Sequence, residues 1–147
     1  MTETLTIHAT AVALDGVAVL LRGPPGSGKS DLALRLIEAG ARLIADDQTV
    51  LSRRGGRLFA APPATIAGRL EVRGLGIVAL DHVADIAVAL VFDLVAAAAI
   101  ERLPAPATVE LLNVRLPLMR LDPAAASAAA KVRLAVRQRR GDKMAPP

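Results

Sequence analysis

The stretch from Gly23 to Ser30, Gly-Pro-Pro-Gly-Ser-Gly-Lys-Ser, limits what this chain can fold into more than any other segment. It fits the pattern of a glycine, four residues, then Gly-Lys-Ser. Its glycines let the backbone curl until successive N–H groups point inward at phosphate oxygens. Gly23, Pro24, Pro25, Gly26, Ser27 and Gly28 would form the cradle. Lys29 would add a point charge for the β- and γ-phosphates, and the Ser30 hydroxyl can ligate Mg²⁺. Such a loop needs a strand before it and a helix after it, because the helix aims its positive end at the same anion. Both flanks are legible. Residues 17–21 read as a strand, and Leu32, Ala33, Leu36 and Ile37 recur at helical spacing until Gly40 stops the helix. The expectation is a nucleotide-phosphate site with Mg²⁺. The loop does not name a reaction, since ATPases, GTPases, kinases and transporters all use it.

Around this unit the sequence reads as one α/β domain over residues 1–140, followed by a disordered tail at 141–147. Residues 4–14 read as a strand, turned by Asp15-Gly16 into the strand at 17–21. A short buried strand at 42–45 ends in Asp46-Asp47. Strands at 49–52 and 57–61 flank Arg53-Arg54-Gly55-Gly56, a second hairpin. One helical turn is expected within 64–70, then a glycine-containing loop at 70–77 feeding a strand at 77–80. Residues 84–94 read as a central strand and 114–121, around Pro117, as an edge strand. Asp122 reads as an N-cap with Pro123 at the first helical position, opening a helix to about residue 138.

Composition removes several classes of function. With two Phe and no Trp or Tyr there are no aromatic platforms for stacking bases, so no nucleic-acid partner is expected. With no Cys, disulfides, thiolate metal sites and Cys nucleophiles are excluded, which suits a cytoplasmic setting. The first residues, Met-Thr-Glu-Thr, lack the basic start and apolar run of a signal peptide. The most apolar stretch, 86–100, carries Asp93, and its roughly 15 residues are too few to span a bilayer of about 30 Å, so no membrane partner is expected. The net charge of +4 owes much to Lys131, Arg133, Arg137, Arg139, Arg140 and Lys143 near the end. These residues suit either the solvated face of a last helix or a surface for nucleic acid or an acidic partner.

Three further groups bear on chemistry. Asp46 and Asp47 close the strand after the loop's helix, where a carboxylate can orient Mg²⁺ or take a proton from an acceptor hydroxyl. Neighbours in an extended chain face opposite ways, so the two should not share one job; a turn-forming pair is the competing reading. Glu71 and Arg73 lie two apart beside Gly74 and Gly76, and can supply a metal ligand and a phosphate clamp or simply form a surface ion pair. His8 lies on the first strand, where packing is the commoner role.

Taken together these pieces resemble the catalytic domain of HPr kinase/phosphorylase, the bacterial enzyme acting on the phosphocarrier protein HPr. The resemblance rests on Ile7-His8, the 23–30 loop followed by Asp31, the run Gly-Ala-Arg-Leu-Ile-Ala-Asp-Asp at 40–47, and Leu-Glu-Val-Arg-Gly-Leu-Gly-Ile at 70–77. It implies ATP and Mg²⁺ as cofactors, HPr as the protein partner, and phosphorylation of a serine, with phosphorolysis as the possible reverse. Asp47 then matches the family's proton acceptor, Lys29 and His8 its other active-site positions, and Ser30 and Glu71 its Mg²⁺ ligands. Arg102, in Glu-Arg-Leu-Pro, matches a later catalytic arginine across a variable region. The implied fold is a mixed sheet like the nucleotide domain of phosphoenolpyruvate carboxykinase, and the implied assembly a homo-oligomer, hexameric in the family. Two departures stand out. The segment begins almost at Met1, as in a short form without the amino-terminal domain. Where longer members carry Pro-Gly-Arg-Asn, tied to dephosphorylation, residues 121–126 read Leu-Asp-Pro-Ala-Ala-Ala. A nucleotide- or phosphate-sensing module with little catalysis, and a kinase of similar fold with another acceptor, are the competing functions.

Overall fold

Expected as one strand, residues 4–14 divide at His8 into β1 (Glu3–Ile7) and β2 (Ala9–Leu14) in the computed structural model, which describes residues 3–139. Burial explains the division. β2 is buried almost throughout, whereas β1 is exposed except towards Ile7. β2 turns through Asp15 and Gly16, whose φ angles of 52° and 81° suit a two-residue hairpin, into β3 (Val17–Arg22). The glycine loop follows, and then α1 (Lys29–Glu38). β4 (Arg42–Ala45) returns antiparallel to β2, and β5 (Thr49–Arg54) and β6 (Arg57–Ala61) form the expected second hairpin.

After a 3₁₀ turn at Ala64–Ile66, the expected loop at 70–77 is instead a small separate hairpin, β7 (Arg69–Val72) with β8 (Gly76–Ala79). Gly74 and Gly76 take φ of 90° and 102° at its tip, which a side chain would resist. Leu70, fully buried, fastens the hairpin to the helix layer.

The central strand is β9 (Ile86–Leu94), as its apolar run predicts. β3 runs parallel to it along one edge. The other edge is divided: β6 pairs antiparallel with Ile86 and Ala87, and β11 (Val114–Leu121) pairs parallel with residues 91–94. The result is a curled mixed sheet with the path β1-β5-β6-β9-β3-β2-β4. β11 is therefore not an edge strand, because β10 (Ala107–Leu111), unforeseen in the sequence, pairs with it. Pro117 is tolerated because pairing with β9 begins only at Leu118.

The last helix also starts later than expected. Asp122 Oδ1 accepts the Ala124 N–H at 2.9 Å, but this closes a turn, and α2 runs Ala128–Arg139. The Pro123 carbonyl, which a helix from 122 would need for its own ladder, accepts instead from Arg35 Nη2. The expected tail at 141–147 lies outside the described residues.

The sheet buries apolar side chains on both faces. Leu21, Leu90 and Phe92 face Leu32 and Leu36 of α1 and Val132 and Val136 of α2. Leu20, Val88 and Val91 pack with Ile44, Leu51, Leu58 and Leu116 on the other face. Burying a side chain such as Phe92 contributes about 1.5–3 kcal/mol. Among the described residues no helix is long and apolar enough to cross a membrane.

Candidate functional site

Three chain reversals meet at one end of the sheet: the glycine loop after β3, the Asp46-Asp47 corner after β4, and the β7–β8 hairpin. They border a cavity of about 760 Å³ lined by Lys29, Ser30, Asp47, Glu71 and Arg73 among others. Loop geometry explains the glycines. Gly26 and Gly28 have φ of 80° and 98°, and a Cβ on Gly23 would run into the Ser27 side chain. Gly28 also caps α1, whose first N–H groups have no acceptor within the helix and open toward the loop. A Cβ on Gly28 would come 3.2 Å from Pro123 Cβ.

Lys29 is 5% exposed, and its ammonium donates to the carbonyls of Gly23 at 2.7 Å and Pro24 at 3.1 Å. It also stands 3.7 Å from Asp47 Oδ1. The two aspartates do face apart, as the sequence suggests, although not through extended backbone. Asp47 has φ of 68°, a left-handed conformation that Asp tolerates better than most residues, and its carboxylate is 61% exposed toward the cavity.

Asp46 points inward and organises the site. Its Oδ1 accepts from Ser30 Oγ at 2.6 Å and from Thr10 Oγ1 at 3.1 Å, and its Oδ2 accepts the Glu71 backbone N–H at 3.0 Å. One buried carboxylate thus ties α1, β2 and β7 together. Ser30 and Glu71, the two residues expected to hold a metal, are both held by it. No cluster of three His, Cys, Asp or Glu side chains able to hold a metal occurs among the described residues. Ser30 and Glu71, one hydroxyl and one carboxylate, are the kind of donors that suit Mg²⁺.

Glu71 and Arg73 both line the cavity, Glu71 from β7 and Arg73 from the turn after it, and no ion pair joins them among the described residues. His8 is exposed at the bend between β1 and β2, one step beyond the Ile7–Thr49 pair and so level with Gln48. Arg102 is exposed in the loop between the 3₁₀ turn at Ala97–Ala99 and β10. Neither side chain lines the cavity.

Sequence reasoning missed four contributors. Thr10 carries a signal in retrospect, a hydroxyl within the apolar run of β2. Arg35 donates to the carbonyls of Pro123 and Ala125 and pairs with Asp31 at 3.2 Å, drawing the 123–125 turn over the loop as a cavity wall. Arg22 and Asp93, register partners in β3 and β9, form a two-pronged ion pair at 2.8 and 3.1 Å just before the loop. Their residue types look like surface charges until the register is known.

A glycine loop between strand and helix, faced by carboxylates and set in a curled mixed sheet, defines a mixed-sheet α/β domain. More particularly, residues 1–143 match the model of the HPr Serine kinase C-terminal domain, and the chain belongs to that family. It is 43% identical over 72 residues to an HPr kinase/phosphorylase of Clostridium tetani, covering 49% of this chain and 24% of that protein. An HPr kinase/phosphorylase of Brevibacillus brevis is 42% identical over 79 residues, covering 53% and 25%. The matched stretches thus span about a quarter of the length of these two relatives. The solved structure of the Hpr(Ser) kinase/phosphatase from Coxiella burnetii superposes with a TM-score of 0.81 at 25% identity, over 94% of this chain and 97% of that one.

Proposed function

We propose that this domain is an ATP- and Mg²⁺-dependent serine kinase whose acceptor is HPr. The observation that carries the reading is the meeting of Lys29, Ser30, Asp47 and Glu71 on one cavity, with a carboxylate opposite the glycine loop. Phosphoryl transfer needs positioning and neutralisation of charge more than covalent help from the protein. The glycine loop and the first N–H groups of α1 would hold the β- and γ-phosphates, with Lys29 exchanging its loop carbonyls for phosphate oxygens. Ser30 and Glu71 would hold Mg²⁺, which when bound neutralises phosphate charge.

Asp47, on the cavity side and open to an incoming protein, would accept the proton of the serine hydroxyl as its oxygen attacks the γ-phosphorus and the bond to ADP breaks. Arg73 lines the same cavity and suits a phosphate clamp; His8 and Arg102 would act from outside the cavity's lining. In reverse, inorganic phosphate would attack phosphoserine and a protonated Asp47 would protonate the leaving oxygen. A cytoplasmic enzyme working as a homo-oligomer is part of the same reading, as the resemblance in sequence implies.

The test is incubation with γ-labelled ATP, Mg²⁺ and HPr, and separately with phosphoserine-HPr and inorganic phosphate. Label on a single serine of HPr is expected. Tight ATP binding with no label on HPr would favour the sensing module, and label on other proteins of an extract would favour a different acceptor.

A further inference from the structure

Thr10 is fully buried in a strand otherwise made of Ala, Val and Leu. Its hydroxyl oxygen lies 3.1 Å from Asp46 Oδ1 and 3.0 Å from the Asp47 backbone nitrogen. The direction of both bonds is fixed, because a backbone amide only donates and a carboxylate only accepts. The hydroxyl therefore gives its one proton to Asp46 and takes the Asp47 N–H on a lone pair. We propose that Thr10 is a positioning residue that sets both aspartates of the site from one oxygen atom. The inference deepens the kinase reading and rests on it.

Asp47 adopts a left-handed backbone, which costs an Asp less than most residues but is still favoured by surroundings that hold it. The N–H bond to Thr10 is such a restraint, and it aims the Asp47 carboxylate at the cavity beside Lys29. On the other side, the Thr10 proton orients the Asp46 oxygen that also receives Ser30 Oγ. Thr10 thus touches neither nucleotide nor acceptor, yet adjoins both the base and the support of the metal-holding serine.

Local architecture limits other ways to hold the corner. Thr10 has no solvent exposure, so bulk water cannot replace its hydroxyl. Gln48 N–H bonds back to the Asp46 carbonyl at 2.8 Å, and the buried Thr49 hydroxyl donates to the Ala9 carbonyl at 2.8 Å. The corner between β4 and β5 is therefore fastened to β2 at Ala9 and Thr10. Thr49 fixes where the corner leaves. Thr10 fixes how the aspartates point.

Valine keeps the branched shape and removes only the hydroxyl, alanine removes the methyl as well, and serine keeps the hydroxyl. Wild type, Thr10→Val, Thr10→Ala and Thr10→Ser would be compared in single-turnover and steady-state transfer from ATP to HPr, with ATP affinity by calorimetry and exchange of the Asp47 amide by NMR. Small displacements of a reacting group cost up to about 100-fold in rate, so Thr10→Val and Thr10→Ala are expected to lose about 10- to 100-fold in kcat. ATP affinity should stay within about threefold, Thr10→Ser should restore most of the rate, and the Asp47 amide should lose protection only without the hydroxyl. A folded Thr10→Val or Thr10→Ala with wild-type kcat would overturn the proposal, as would failure of Thr10→Ser to rescue. If wild type itself transfers nothing to HPr, the kinase reading fails, and the amide exchange still decides whether Thr10 holds Asp47.

Discussion

Replacing Asp46 by asparagine changes little in shape and much in hydrogen bonding. Oδ1 receives two hydroxyl donors, Ser30 and Thr10, so the amide must place its carbonyl oxygen there. Its NH₂ group then faces the Glu71 backbone N–H across the 3.0 Å that the carboxylate now spans, a donor against a donor. One charge-assisted bond is lost and two others weaken to the neutral kind. Removing a buried charge works the other way by recovering desolvation. Unpaired buried groups cost about 1–3 kcal/mol each, and that loss should prevail because all three partners remain in place. For a domain of this size 1–3 kcal/mol corresponds to a fall in Tm of roughly 3–10 °C. The effect should concentrate at β7, with faster amide exchange at Glu71 and weaker Mg²⁺-dependent ATP binding, read by thermal denaturation, NMR and calorimetry. An Asp46→Asn protein with unchanged Tm and a protected Glu71 amide would show that Asp46 is not the tie between loop and hairpin.

Other perturbations follow from the same geometry. Gly28→Ala forces a side chain into φ of 98° and against Pro123, so it should lose about 1–3 kcal/mol in urea unfolding and weaken ATP binding together. Leu70→Ala empties a fully buried position and should cost about 2–4 kcal/mol, with faster amide exchange in β7 and β8 as the local readout. Arg22→Met leaves Asp93 half-buried without its two-pronged partner, and should lose about 1–2 kcal/mol, partly recovered when Arg22→Asp is combined with Asp93→Arg.

Local patterns made much of this legible. Strand, glycine loop and helix stood in register because each piece has its own backbone chemistry, and Asp15-Gly16 and Gly55-Gly56 announced their hairpins. Errors arose where a distant residue decided the matter. Asp122-Pro123 has the chemistry of a helix start, yet Arg35 of α1 holds the Pro123 carbonyl and delays the helix to Ala128. Pro117 marked an edge, yet the register of β11 leaves that residue outside its pairing with β9. At the site, Asp47 and Glu71 were readable as carboxylates near the glycine loop. Asp46 as a hub was not, since its three partners come from positions 10, 30 and 71.

In the proposed reaction Asp47 takes the serine proton opposite the glycine loop. Asparagine tolerates the same left-handed backbone, so Asp47→Asn isolates the carboxylate's chemistry from its conformation. In rapid-quench transfer of label from ATP to HPr, a fall of about 100-fold or more is expected, with ATP affinity near that of wild type. Label accumulating on HPr at the wild-type rate in that variant would contradict it.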